Sequence, residues 1–96
     1  MSKINLTPAE VRTHATTIES VSEELRNVNL TLKTMVEELL APWKGKAKDE
    51  FTTAFTEFYP KLQDASAVLR EISMNLNATA TVIEHVDGQN ITESAN

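Results

Sequence analysis

A chain of 96 residues is one domain at most, and at this length a folded monomer buries only about 60 to 65% of the surface its unfolded form exposes, which leaves it marginal alone. The absence of cysteine excludes a disulfide framework, a thiolate nucleophile and a cysteine-ligated zinc. A formal charge of −5 repels nucleic-acid phosphates and anionic head groups, and no apolar run approaches the length of a membrane span or a signal-peptide core, so nucleic-acid binding, stable membrane insertion and export by a cleavable signal peptide are not expected.

The first predicted helix starts at Pro8. Thr7 is placed to cap the free amides, Pro8 takes the first helical position where a missing N–H costs nothing, and Glu10 completes a capping box. Leu6 and Val11 stand where a hydrophobic staple would. Val11, Ile18, Leu25, Leu32 and Leu39 then recur every seven residues, interleaved with His14, Val21, Val28 and Met35. This stripe is too long for a strand and predicts helix up to about residue 41, because the residue before Pro42 is pushed out of the α region.

Pro42-Trp43-Lys44-Gly45 predicts a tight turn at about 42–45, with Gly45 supplying a sharp reversal and Trp43 a large aromatic beside the helix end. Ala47 and Phe51 are expected to put a small and a large group on the first inward turn of the next helix. Glu37 and Glu38 before the turn, and Lys46 and Lys48 after it, each stand on the unfavourable side for their own helix dipole. Opposed across the turn, they would compensate one another.

The second helix is predicted over about 46–87. Phe55, Leu62, Leu69, Leu76 and Ile83 continue the stripe, with Phe51, Phe58, Ala65, Ile72, Thr79 and Val86 as a second row. Pro60 lies opposite the stripe and predicts a kink convex to solvent. Asp87-Gly88 reads as a helix stop, and residues 88–96 as a flexible tail. The expected fold is all-α, an antiparallel helix-turn-helix hairpin. Its core is drawn from Val11, Ile18, Val21, Leu25, Val28, Leu32, Met35, Leu39, Phe55, Phe58, Leu62, Leu69, Ile72, Leu76 and Ile83. That stripe is wider than one helix pair can cover, which predicts self-association into an elongated four-helix bundle, most simply a homodimer, though a heterodimer satisfies the same pattern.

No phosphate-binding glycine loop, nucleophile elbow or His-Glu-x-x-His motif occurs. His14 and His85 lie near opposite chain ends, so no catalytic residues, metal ligands or cofactor are assigned. The Asn-x-Thr triplets at Asn5, Asn29, Asn77 and Asn90 are read as chance.

Trp43, Gly45, Ala47 and Phe51, centred between two long helices in about a hundred residues, resemble the WXG-motif family exported by Gram-positive type VII secretion systems. The similarity is to its early secretory antigenic target-like branch and to the homodimeric members of Firmicutes. It covers nearly the whole chain. The resemblance implies synthesis in the cytoplasm and secretion to the medium or cell surface without a cleavable signal. It also implies passage through a membrane complex driven by a hexameric ATPase, and a role as a virulence-associated factor or co-secretion partner. By position, Trp43 and Gly45 are the turn motif, with a recognition role shared with the C-terminal end of a partner hairpin.

One departure stands out. The only tyrosine, Tyr59, has Gln63 at the offset where many relatives carry an acidic residue of a tyrosine-based export signal. A looser pattern is met in part by Ile83 and Asp87. Two other readings remain: an intracellular chaperone or adaptor for a larger type VII toxin, and a membrane-active lytic protein, against which the negative charge weighs. Partners on the leading reading are a second copy, the secretion machinery, and a larger co-secreted toxin or another protein of the same family.

Overall fold

The computed structural model describes residues 6–95, with side chains as far as Val86. Two helices make the fold, α1 over Pro8–Leu40 and α2 over Lys46–Ala95. They lie side by side and antiparallel in a rod of 77 × 22 × 20 Å. Among the described residues there is no strand.

α1 begins as its sequence dictates. Thr7 is extended (φ −81°, ψ 155°), its hydroxyl accepts the Glu10 N–H at 3.1 Å, and Glu10 Oε1 accepts the Thr7 N–H at 3.2 Å. Both arms of the capping box are therefore closed, which satisfies two amides that would otherwise have no helical partner. At the other end, the Ala41 N–H closes the last turn on the Glu37 carbonyl at 3.1 Å.

α2 differs from expectation at its far end. Its helical span passes through Asp87-Gly88 to Ala95, so the stop expected there and the tail expected from residue 88 are corrected. A glycine inside a helix costs about 1 kcal/mol against alanine, which disfavours the helix at that point without ending it. Pro60 is exposed and lies inside the same helix. Helical hydrogen bonding resumes on either side of the one amide that proline lacks.

The hairpin's own core is thin. Val11, Ala15, Val36 and Ala80 are its buried apolar residues among those described, and the largest side chain that is completely buried is that of Ser73. Arg12 clamps the open end of the hairpin, donating to Thr81 Oγ1 at 3.0 Å and pairing with Glu84. That pair is half exposed and contributes at most about 1 kcal/mol.

Candidate functional site

The turn occupies residues 41–45. After Ala41, the Trp43 N–H donates to the Leu40 carbonyl at 3.2 Å, and the Gly45 carbonyl accepts the Asp49 N–H at 3.3 Å to start α2. Gly45 has φ +119°. A Cβ built there would meet nothing within 4 Å. Backbone conformation alone, not crowding, therefore requires glycine at this position.

Trp43 is half-buried, and its ring lies 5.9 Å from Phe51 at a tilt of 40°. The contact propagates along α2 at helical spacing, with Phe51 and Phe55 at 6.3 Å and Phe55 and Tyr59 at 5.4 Å. Aromatic pairs at such separations attract beyond simple area burial. Lys33 places its ammonium 6.0 Å from the Tyr59 ring centroid. The turn is thus the end of an aromatic ladder that ties it to the body of α2.

Ala47 is exposed, so the expected inward small residue is absent from the hairpin's first turn. The inward row of α2 is Lys48, Thr52, Phe55 and Tyr59, all partly buried. Ala47, Phe51 and Phe58 belong to the neighbouring row. Nor do Glu37 and Glu38 pair with Lys46 and Lys48, since the ion pair within 4 Å among the described residues is Arg12 with Glu84. Solvent-accessible lysines near a turn gain too little from pairing to hold their side chains in one geometry.

The sequence stripe divides into two faces. Inside the hairpin, α1 uses Val11, Ile18, Leu25 and Leu32 alternating with Ala15, Ser22, Asn29 and Val36. α2 answers with Phe55, Leu62, Leu69, Leu76 and Ile83 alternating with Tyr59, Ser66, Ser73 and Ala80. In the first row of each helix only Val11 is buried; the others are half-buried. Ala15, Ser22 and Asn29 of one second row, and Ser66, Ser73 and Ala80 of the other, are small or polar and let the backbones approach.

The remaining expected core residues, Val21, Val28, Met35, Leu39, Phe58 and Ile72, are exposed in the single chain, Val28 and Met35 at 61%. Phe51, Val68, Val82 and Val86 extend the same exposed surface. At 100° per residue, the rows of Val21 and Phe58 fall on one flank of the seam. The result is an apolar flank running most of the rod's length, and contiguous exposure on that scale marks an interaction surface.

The opposite flank is polar. A groove of about 590 Å³ there is lined by Glu19, Glu23, Arg26, Gln63 and Arg70, over a floor that includes Ser22 and Asn29. Its charges are of both signs. No group of three metal-binding side chains occurs among the described residues, and no described helix is long and apolar enough to cross a membrane.

Buried Ser22, Asn29 and Ser73 escaped the sequence reading. They recur at seven-residue spacing with Ala15, Val36 and Ala80, a signal masked by their polarity. Of the expected export-signal residues, Ile83 is half-buried against α1 and the Asp87 side chain lies outside the described residues.

Comparison with known proteins gives a concordant result. The pattern of a family described as WXG100, proteins of 100 residues with WXG, matches residues 3–88. The type VII secretion system extracellular protein A of Staphylococcus aureus strain USA300 is 29% identical over 89 residues, covering 93% of this chain and 92% of that protein. Among solved structures, EsxA of Geobacillus thermodenitrificans superposes with a TM-score of 0.78 at 27% identity, covering 93% of this chain and 96% of that one. The secreted protein EsxB of Bacillus anthracis gives 0.77 at 23% identity over 91% and 99% of the two chains, a likeness of fold.

Proposed function

This chain belongs to the WXG100 family, and on that premise we propose that it is a non-enzymatic substrate of a type VII secretion system, released to the medium or cell surface as a helical-bundle dimer. The observation that carries the reading is the turn: Trp43 half-exposed at the tip beside a glycine at φ +119°, in a chain matched by the family from residue 3 to residue 88.

On this reading two hairpins pack antiparallel through their apolar flanks into a four-helix bundle. Each fully buried Val, Ile, Phe or Met contributes about 1.5–3 kcal/mol relative to exposure. The exposed Val28, Met35, Phe58 and Ile72 therefore supply a driving force that the thin inner seam lacks. The antiparallel arrangement brings the turn of one hairpin to the chain ends of the other. Trp43 and Gly45 of one copy, with Ile83, Asp87 and the following residues of its mate, then form a composite surface for the secretion machinery. The role after export is that of a virulence-associated factor or a co-secretion partner, exerted through helix packing.

The test compares culture supernatant with cells in the native organism, with and without its type VII ATPase. Loss of the extracellular protein in the ATPase-deficient strain, while a cytosolic marker stays inside, is the expected result. Retention inside the cells of both strains while the system is active overturns the reading. Within the active strain, Trp43→Arg is expected to lower export several-fold with helicity retained. Normal export of that variant would leave the turn a purely structural element.

A further inference from the structure

The two helices are unequal. α1 has 33 residues and α2 has 50, about 50 and 75 Å at 1.5 Å per residue, so at the open end of the rod α2 outruns its partner. The packing thins there too. Ala15 and Ala80 are fully enclosed and Val11 is 8% exposed. Beyond Ala80, Ile83 is the last apolar residue of the inner row whose side chain is described, and it is only half-buried, with Val82 and Val86 exposed beside it.

A single side chain spans the seam at this turn. Arg12 Nη2 donates to Thr81 Oγ1 at 3.0 Å and to Glu84 Oε1, two residues that bracket Ile83 on α2. Among the described residues this is the ion pair that joins the helices. Its cation has no substitute nearby in sequence. Residues 4–25 and 71–96 hold one Lys or Arg, Arg12, against four Glu in the first stretch and four Asp or Glu in the second. Without the guanidinium this end carries only like charge, which repels within a Debye length of about 8 to 10 Å.

The bridge also lies away from the apolar flank. Arg12 recurs at seven-residue spacing with Glu19 and Arg26, and Glu84 with Arg70 and Gln63, the residues that line the polar groove. A mate seated on the apolar flank therefore leaves the bridge open to solvent. Its side chains are 38% and 49% exposed in the single hairpin.

Ile83 is under two demands. As part of an export signal it has to be read by another molecule, yet it rests against α1 under the Arg12 bridge. We propose that Arg12 is a latch on the export signal: by bridging to Thr81 and Glu84 it keeps Ile83 shut against α1, and release of the bridge lets the end of α2 lift and present Ile83 to the secretion machinery. The inference rests on the export reading of Ile83 and Asp87 given above and adds the contact that regulates that site. A half-exposed pair suits such a device, since it shifts an opening equilibrium by at most about fivefold and leaves the end free to open when a receptor binds.

The chain lacks cysteine, so the variant I83C carries a unique thiol whose rate of reaction with a maleimide measures exposure at that position. V86C, at a site already exposed, controls for the change in local charge. R12Q is expected to speed labelling of I83C relative to V86C by about three- to fivefold, with far-UV helicity unchanged. E84Q, which breaks the pair from α2, is expected to act in the same direction, and the exchanged pair R12E/E84R to restore slow labelling. An unchanged labelling ratio in R12Q and E84Q overturns the latch. A general loss of helicity in both variants overturns it too, because the bridge would then hold the whole fold and not its end.

In cells with an active type VII ATPase, R12Q with its native Ile83 is expected to reach the medium faster than wild type in a short pulse, by no more than about fivefold. Export no faster than wild type overturns the gating role even where labelling accelerates. Absence of ATPase-dependent export of the wild-type protein would instead defeat the export reading itself, and the labelling ratio would still decide whether Arg12 shields Ile83.

Discussion

Gly45 and Ser73 are constrained for opposite reasons. Gly45 has open space around it and a backbone conformation denied to other residues. Gly45→Ala is accordingly expected to cost about 1–3 kcal/mol of strain, seen as a lower thermal midpoint by circular dichroism without loss of helicity at room temperature. Ser73 has an ordinary helical backbone and no room, at 1% exposure, with its hydroxyl bonded to the Arg70 carbonyl of its own helix. Ser73→Leu is expected to destabilise by about 1–3 kcal/mol through overpacking, whereas Ser73→Ala is close to neutral because the bond it loses is local; equal midpoints for the two would show that the seam is not tight. Gly45 was legible in the sequence because glycine beside tryptophan and proline has one conventional meaning. Ser73, Ser22 and Asn29 were not, because polar residues at a heptad position read as surface until the backbone that accepts their hydrogen bonds is in view.

At the scale of the helices, legibility followed the strength of the local signal. Three mutually supporting features, Thr7, Pro8 and Glu10, fixed the start of α1, and Pro42 fixed its end, so Pro8–Leu40 was recoverable almost to the residue. Thr7→Ala is expected to remove about 1 kcal/mol and to speed amide exchange in the first turn alone; uniform acceleration along α1 would mean that the helix melts as one unit. The far end of α2 was read from Asp87-Gly88 and the polar residues after it, a mild local penalty within a long cooperative helix, and the helix runs on to Ala95. Pro60 is a larger local cost, about 3 kcal/mol. Pro60→Ala should recover a substantial part of it as a raised unfolding midpoint, because the exposed site offers no packing to lose. An unchanged midpoint would indicate that the surrounding helix has already adapted to the missing amide.

For the whole molecule, the sequence showed how much apolar surface there is but not how it divides. A seven-residue repeat is shared by three adjacent rows on each helix, and composition assigns neighbouring rows to inside or outside only when one of them is plainly polar. The inner seam took the small row and left the row of Val21, Val28 and Met35 outward, so the fifteen expected core residues divide between the inner seam and the exposed flank. Val28→Asp and Phe58→Asp separate them. Each is expected to reduce the assembly to single hairpins by light scattering. Each should also lower helicity at micromolar concentration, because the inner seam is thin and stability borrowed from a partner depends on protein concentration. Retention of a dimer by both variants would relocate the interface to the polar flank.

The turn also gives this protein an intrinsic optical probe. Its one tryptophan is at the tip, partly open to water and 5.9 Å from Phe51, so the whole indole emission comes from a single, known place. Anything that seats on the tip, whether a second hairpin or a component of a secretion complex, excludes water from that ring. Emission then moves to shorter wavelength and acrylamide quenches it less. Engagement of this end of the rod is therefore readable in unlabelled native protein.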